Sequence, residues 1–131
     1  MKKYENYLSN LAVLREAGKE DLSNEFILSG IIDKFYVQFE LGWKLLKELL
    51  KYEGSSIAAT GSPRQIIKGA YEVYDFMEEG LWLEMLKDRN DTAHIYDGHA
   101  ARELVGKIIA RYIGEFEKCS KEIQRRYEGM L

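Results

Sequence analysis

The chain is poor in several residues, and each shortage narrows what it can be. One cysteine, Cys119, stands among 131 residues, so no internal disulfide can form. A reducing cytoplasm is the expected setting, and Cys119 itself reads as a small buried apolar residue. Proline occurs once, at Pro63, so little interrupts helices elsewhere. The two histidines, His94 and His99, lie across an expected helix boundary, with no H-E-x-x-H or C-x-x-C pattern. That argues against a metal site. No G-x-x-x-x-G-K-[ST] loop is present to cradle phosphate, and no cofactor is implied. Basic charge is not in excess either. Nineteen Lys and Arg against 22 Asp and Glu give a formal net charge of −3. Coating of nucleic acid or anionic membrane by bulk charge is thereby excluded, though a local basic patch is not. No apolar run approaches the roughly 20 residues of a membrane span. The opening "MKKYENYLSN" turns polar at once, without a signal-peptide core.

What remains is helical text. Apolar residues make up 46% of the sequence, enough for a real core, and the length suits one domain over residues 1–131. Hydrophobic spacing is three and four, and no window alternates as a strand does. Five helices are predicted. The first covers about Tyr4 to Ala17. The second runs from about Asn24 to Tyr52, with Ser23 or Asp21 as its cap and Gly54 as its stop. Its seam is Leu28, Ile32, Phe35, Phe39, Trp43, Leu46 and Leu50, so Phe39 and Trp43 are expected in the core. Glu40 and Lys44 stand four apart with the acid first. After the small-residue loop "GSSIAATGS", Ser62, Pro63 and Gln65 form a capping box that opens a third helix, ended by Gly80. The fourth helix covers Leu81 to about His94. The fifth starts at Asp97 as N-cap. The fold class is therefore all-α, a four- to five-helix up-and-down antiparallel bundle.

Two places carry chemistry. "TGSPRQ" looks at first like the Gly-Ser loop of a nucleotidyltransferase, but no D-x-D follows to hold magnesium, so a helix cap is the better reading. Arg64 in the first turn is either a surface arginine or a phosphate contact beside free backbone N–H groups. The second place is "LEMLKDRNDTAHIYDGHA", Leu83 to Ala100. Asn90 and His94 share a helix face, whereas Arg89 is about 140° round from His94. Arg89 and His94 converge only where the helix ends or where a second chain brings its own pair. A histidine at a helix C-terminus feels the negative end of the dipole, which suits proton transfer. The bland alternative is a solvated helix end.

Three blocks, "FELGWKLLKELL", "SPRQIIKGAY" and "WLEMLKDRNDTAHIYD", together resemble the nucleotidyltransferase substrate-binding protein family, within the HEPN superfamily of helical bundles. The match runs from about Tyr4 to Ile123. It implies a bundle similar to the helical substrate-binding domain of kanamycin nucleotidyltransferase. It also implies pairing with a small nucleotidyltransferase protein, as a homodimer or heterotetramer. The superfamily's R-x-x-x-x-H motif, in many members a metal-independent ribonuclease site, falls on Arg89 and His94, with Asn90 after the arginine. In related toxin–antitoxin pairs the partner adenylylates a tyrosine two residues past the histidine, which here is Tyr96. The family's arginine, phenylalanine and glutamate before the "FEL" block are replaced by Lys34, Phe35 and Tyr36. Lys34 lacks the bidentate fork, and any role of the lost glutamate passes to Glu40 or lapses.

Two functions follow. One is a non-catalytic subunit that binds nucleotide or acceptor for the nucleotidyltransferase, with Arg64, Lys34, Glu40 and Asp97 as candidate ligand-binding residues. The other is a ribonuclease toxin acting on RNA through Arg89, Asn90 and His94, neutralised by that partner. Phe26, Tyr36 and Tyr52 lie off the seam of the second helix. Aromatic residues so placed point to self-association.

Overall fold

The computed structural model describes residues 1–91 and 97–131. Helix α1 spans Lys2–Leu14, a 3₁₀ turn follows at Ala17–Lys19, and α2 spans Glu25–Tyr52. A short α3 (Ile57–Thr60) leads to α4 (Pro63–Val73) and α5 (Glu79–Asp91). The last rod is α6 (Gly98–Lys107), a π turn (Ile108–Tyr112) and α7 (Ile113–Arg126) without a break. Among the described residues there is no strand, and the chain is an all-α bundle as its periodicity predicts. No helix among these residues is long and apolar enough to cross a membrane.

Local signals explain most boundaries. Asn24 caps α2, its side-chain oxygen accepting from the backbone N–H of Phe26 at 2.9 Å. This corrects the expectation of Ser23 or Asp21: Asp21 instead accepts from the N–H and hydroxyl of Ser23, so the two are occupied with each other ahead of the cap. At the far end Gly54 takes φ 81°, and its N–H bonds the carbonyl of Lys51 while Ser55 N–H bonds that of Leu50. That is a Schellman ending, with glycine where a side chain would be strained. The capping box at Ser62 and Gln65 is present in both directions.

Three other boundaries differ from the periodic reading. Helix α1 stops at Leu14, and Ala17 falls in the 3₁₀ turn. Helix α4 stops at Val73, not at Gly80, because Tyr74 leaves helical dihedrals. Its ring is buried and its hydroxyl meets that of Tyr127 at 2.6 Å. Gly80 then lies inside α5 rather than breaking a helix. The start of α5 is held from outside: the carboxylate of Glu115 on α7 accepts the backbone N–H of Glu78 at 3.0 Å, satisfying one of the donors that a helix start leaves open.

The core is aromatic. Trp82 is buried, with ring centroids 6.0 Å from Phe39 and 5.6 Å from Phe116. Its indole N–H donates to Glu115 at 3.0 Å. Phe35 stacks on Tyr112 at 5.3 Å. Tyr7 donates to the carbonyl of Phe116 at 2.7 Å and Tyr4 to that of Ser120 at 3.1 Å, binding α1 to α7. Cys119 is buried, as expected. Gly42 is where α2 meets this cluster: a Cβ there would lie 2.9 Å from the Trp82 ring and 3.3 Å from Tyr7. The expected seam is right for Leu28, Phe35, Phe39, Leu46 and Leu50, but Ile32 and Trp43 are only partly buried. Ile31, Gln38, Leu45 and Leu49 face the core instead.

Candidate functional site on the polar face of α2 and α5

Arg89, in the last turn of α5, reaches across to α2. Its guanidinium is ion-paired with Glu40, lies 5.1 Å over the ring of Tyr36 and donates to the side-chain oxygen of Asn90 at 3.1 Å. The side chains of Arg89 and Glu40 are 24% and 18% exposed. At that depth a pair is less screened than an open surface salt bridge, and the aromatic face adds a cation–π contact. The other oxygen of Glu40 accepts the indole N–H of Trp43 at 3.2 Å and lies 3.7 Å from Lys44. Glu40 is thus the hub that joins Arg89 to Trp43. The i, i+4 pairing of Glu40 and Lys44 read from the sequence is present.

Arg89, Asn90 and Glu40 are therefore brought together. His94 and Tyr96 lie outside the described residues. The remaining candidates sit elsewhere. Lys34 is exposed along a groove of about 230 Å³ with Val13, Ile27 and Ile31. Its carbonyl accepts from the Asn10 side chain at 3.0 Å. Arg64 is exposed in the first turn of α4. Asp97 caps α6, accepting from the N–H of Ala100 at 2.8 Å. His99 stands beside Glu103 at 3.2 Å, both well exposed.

Two polar groupings escape a reading by motif. The first ties α5 to the end of α6 and to the π turn. Lys107 is 2.8 Å from Asp88 and 3.5 Å from Glu84. Arg111 pairs with Glu84, and Tyr112 donates to Asp88 and, at 3.2 Å, to Glu84. Burial, then the hydrogen bond and charge of Asp88, push the Tyr112 hydroxyl far above its ordinary pKa, so it remains a donor. Burial alone would pull Lys107 down, but Asp88 and Glu84 outweigh it and hold the ammonium above its usual value. Glu84 is likewise pushed up by burial, yet hydrogen bonds from Arg111 and Tyr112 and nearby positive charge bring it below the usual carboxylate range. This network is matched within itself, two acids to two cations.

The second grouping is not matched. A groove of about 550 Å³ is lined by Lys3 of α1, by Trp43, Lys44, Lys47, Glu48 and Lys51 of α2, by Ser55 of the α2–α3 connection and by Ala58 of α3. The signal for it was in "KLLKELLK". Lysines at 44, 47 and 51 fall three and four apart and make one stripe on a helix.

No curated protein matches the sequence. A family model described as "Nucleotidyltransferase substrate binding protein like" matches residues 1–125. The match takes in every helix that builds the Glu40–Arg89 cluster and the lysine groove, and on that extent the chain belongs to the nucleotidyltransferase substrate binding protein like family.

Proposed function

We propose that this chain is a non-catalytic helical subunit that binds nucleotide or acceptor substrate for a separately encoded small nucleotidyltransferase. The observation that carries the reading is the state of Arg89. Its guanidinium is engaged by Glu40, Tyr36 and Asn90, so the arginine serves to fix a polar surface across α2 and α5. Glu40 passes that order on to Trp43 and Lys44. The family name supports a substrate-binding role. Exposed Phe26, 90% accessible, and Tyr52, 65% accessible, supply apolar surface for a homodimer or for a heterotetramer with the partner.

Coexpression with a small nucleotidyltransferase encoded beside it tests the reading. The two proteins are expected to co-purify in fixed stoichiometry, and Phe26→Asp is expected to weaken the assembly. Separate elution of two well-folded proteins would contradict it.

A second reading draws on the contact between Arg89 and Asn90 at 3.1 Å, the arginine of the R-x-x-x-x-H motif and the residue after it. In it the chain is a metal-independent ribonuclease. His94 moves the proton of a ribose hydroxyl and Arg89 turns from Glu40 to stabilise the phosphorane. Tyr96 is the residue that the partner adenylylates. RNA cleavage by the wild-type protein, lost in His94→Ala and retained in His99→Ala, would favour this reading over the first.

A further inference from the structure

We propose that the groove between α1 and the C-terminal half of α2 is a binding site for a nucleoside di- or triphosphate, with the base against Trp43 and the phosphate chain among Lys47, Lys51 and Lys3. The inference deepens the binding-subunit reading and rests on it, by naming the ligand class and the place.

The argument begins with charge. The chain as a whole is negative, at −3, yet four lysines line this groove against a single carboxylate, Glu48. Lys3 is tied to Glu48 at 3.3 Å and Lys44 to Glu40 at 3.7 Å. Among the described residues Lys47 and Lys51 make no ion pair, and Lys47 is half-buried in the wall. Like charges crowded on one helix stripe repel one another and destabilise it. An anion carrying several negative charges removes that cost, and a phosphate chain is the compact form of such an anion. Ammonium groups are point charges on flexible stems, suited to phosphate oxygens along a chain rather than to one planar carboxylate.

The second element is the indole. Trp43 is only partly buried and lines the same groove. The hydrogen bond to Glu40 fixes its N–H edge, and the Lys44 ammonium lies 5.9 Å over the ring. A flat heteroaromatic base would stack on the ring so fixed, as bases do on aromatic side chains, in place of or opposite that ammonium. Ser55, at the far end of the lysine stripe, adds a hydroxyl. The groove's volume falls in the range of small-molecule sites, and that favours a mononucleotide over a polymer. Glu40 links the site to Arg89, so a ligand that displaces Lys44 or reorients Trp43 is felt at the α5 end.

Calorimetric titration of the intact chain with ATP, ADP, AMP, tripolyphosphate and adenosine, with magnesium present, tests the proposal. ATP is expected to bind best, then ADP, then AMP. Tripolyphosphate should bind more weakly than ATP because it has no ring for Trp43, and adenosine should not bind. Added salt should weaken the phosphate-bearing ligands. Lys47→Glu and Lys51→Glu should each weaken ATP by about tenfold or more with the melting temperature nearly unchanged, while Lys121→Glu on α7 should leave binding as it was. No ATP binding at millimolar ligand by folded protein, or undiminished binding in the Lys47→Glu, Lys51→Glu double variant, overturns the proposal. So does binding of a single-stranded RNA through these lysines when ATP does not bind. Absence of ATP binding in a chain that still co-purifies with its nucleotidyltransferase removes the groove and leaves the subunit reading standing. ATP binding that follows the lysines, without any partner association, does the reverse.

Discussion

The two tryptophans sit in opposite circumstances although each donates its indole N–H to a glutamate. Trp82 is sealed among Phe39 and Phe116, and its glutamate, Glu115, also holds the start of α5 and pairs with Lys118 at 2.7 Å. Its indole N–H and that carboxylate are spent on the fold. Trp43 stands at the rim of a groove, and its glutamate, Glu40, connects it to Arg89 and Lys44. Beside it the lysine stripe is left without enough acid to match it. The charged network of Glu84, Asp88, Lys107, Arg111 and Tyr112 belongs with the first case, since its charges are answered within the chain. The lesson is that polar residues matched inside the chain hold the fold, and those left over are the place to look for a ligand.

Substitutions break the comparison in graded steps. Trp82→Ala should be the most damaging, costing about 3–5 kcal/mol for a large core aromatic, read as a fall in urea midpoint or as loss of folding. Gly42→Ala comes next. A gain of ~1 kcal/mol in helix propensity opposes overpacking against an indole wedged between two rings, which costs ~1–3 kcal/mol. Net destabilisation is expected, and Trp82→Phe should relieve it. Trp43→Ala, at a partly solvated site, should cost about 1–2 kcal/mol, well below Trp82→Ala, while abolishing the ring-dependent part of ATP binding. Equal losses at the two tryptophans in thermal melts would erase the distinction.

Acid probes the matched network. The folded-state pKa of Glu84 is held below its unfolded value. Its contribution is therefore complete above the ordinary carboxylate value of about 4.3 and is lost as pH falls through the lower, folded value. Glu84→Gln should flatten that part of the stability curve measured by urea melts between neutral and acid pH. Smallest of all is Lys47→Ala, expected within about 0.5 kcal/mol of wild type or slightly stabilising, because it relieves repulsion within the stripe.

The fold was legible where local chemistry dictates it. Three-and-four spacing, the Ser62 capping box, the Gly54 stop and the Asp97 cap all appear in the structure as the sequence implies. The errors arose where a distant partner decides. Trp43 lies on the same helical stripe as Phe39, and spacing alone cannot say that the stripe rotates toward Gln38, Gly42 and Leu45. Tyr74 ends α4 because of Tyr127, 53 residues away. The capping of α5 by Glu115 has no local signature at all. Of the candidate residues, the structure brings Arg89, Asn90 and Glu40 together, while Lys34, Arg64 and Asp97 lie outside that cluster. A lysine stripe that matches no motif was passed over.

The central claim, a ligand site at the Trp43 groove of a binding subunit, can be tested through the indole N–H signals of the two tryptophans in ¹⁵N-labelled protein, assigned with Trp43→Phe. Titration with ATP should move the Trp43 signal progressively to saturation and leave that of Trp82, buried against Glu115, in place. If neither signal moves at millimolar ATP, or if that of Trp82 moves while that of Trp43 stays, the account is contradicted.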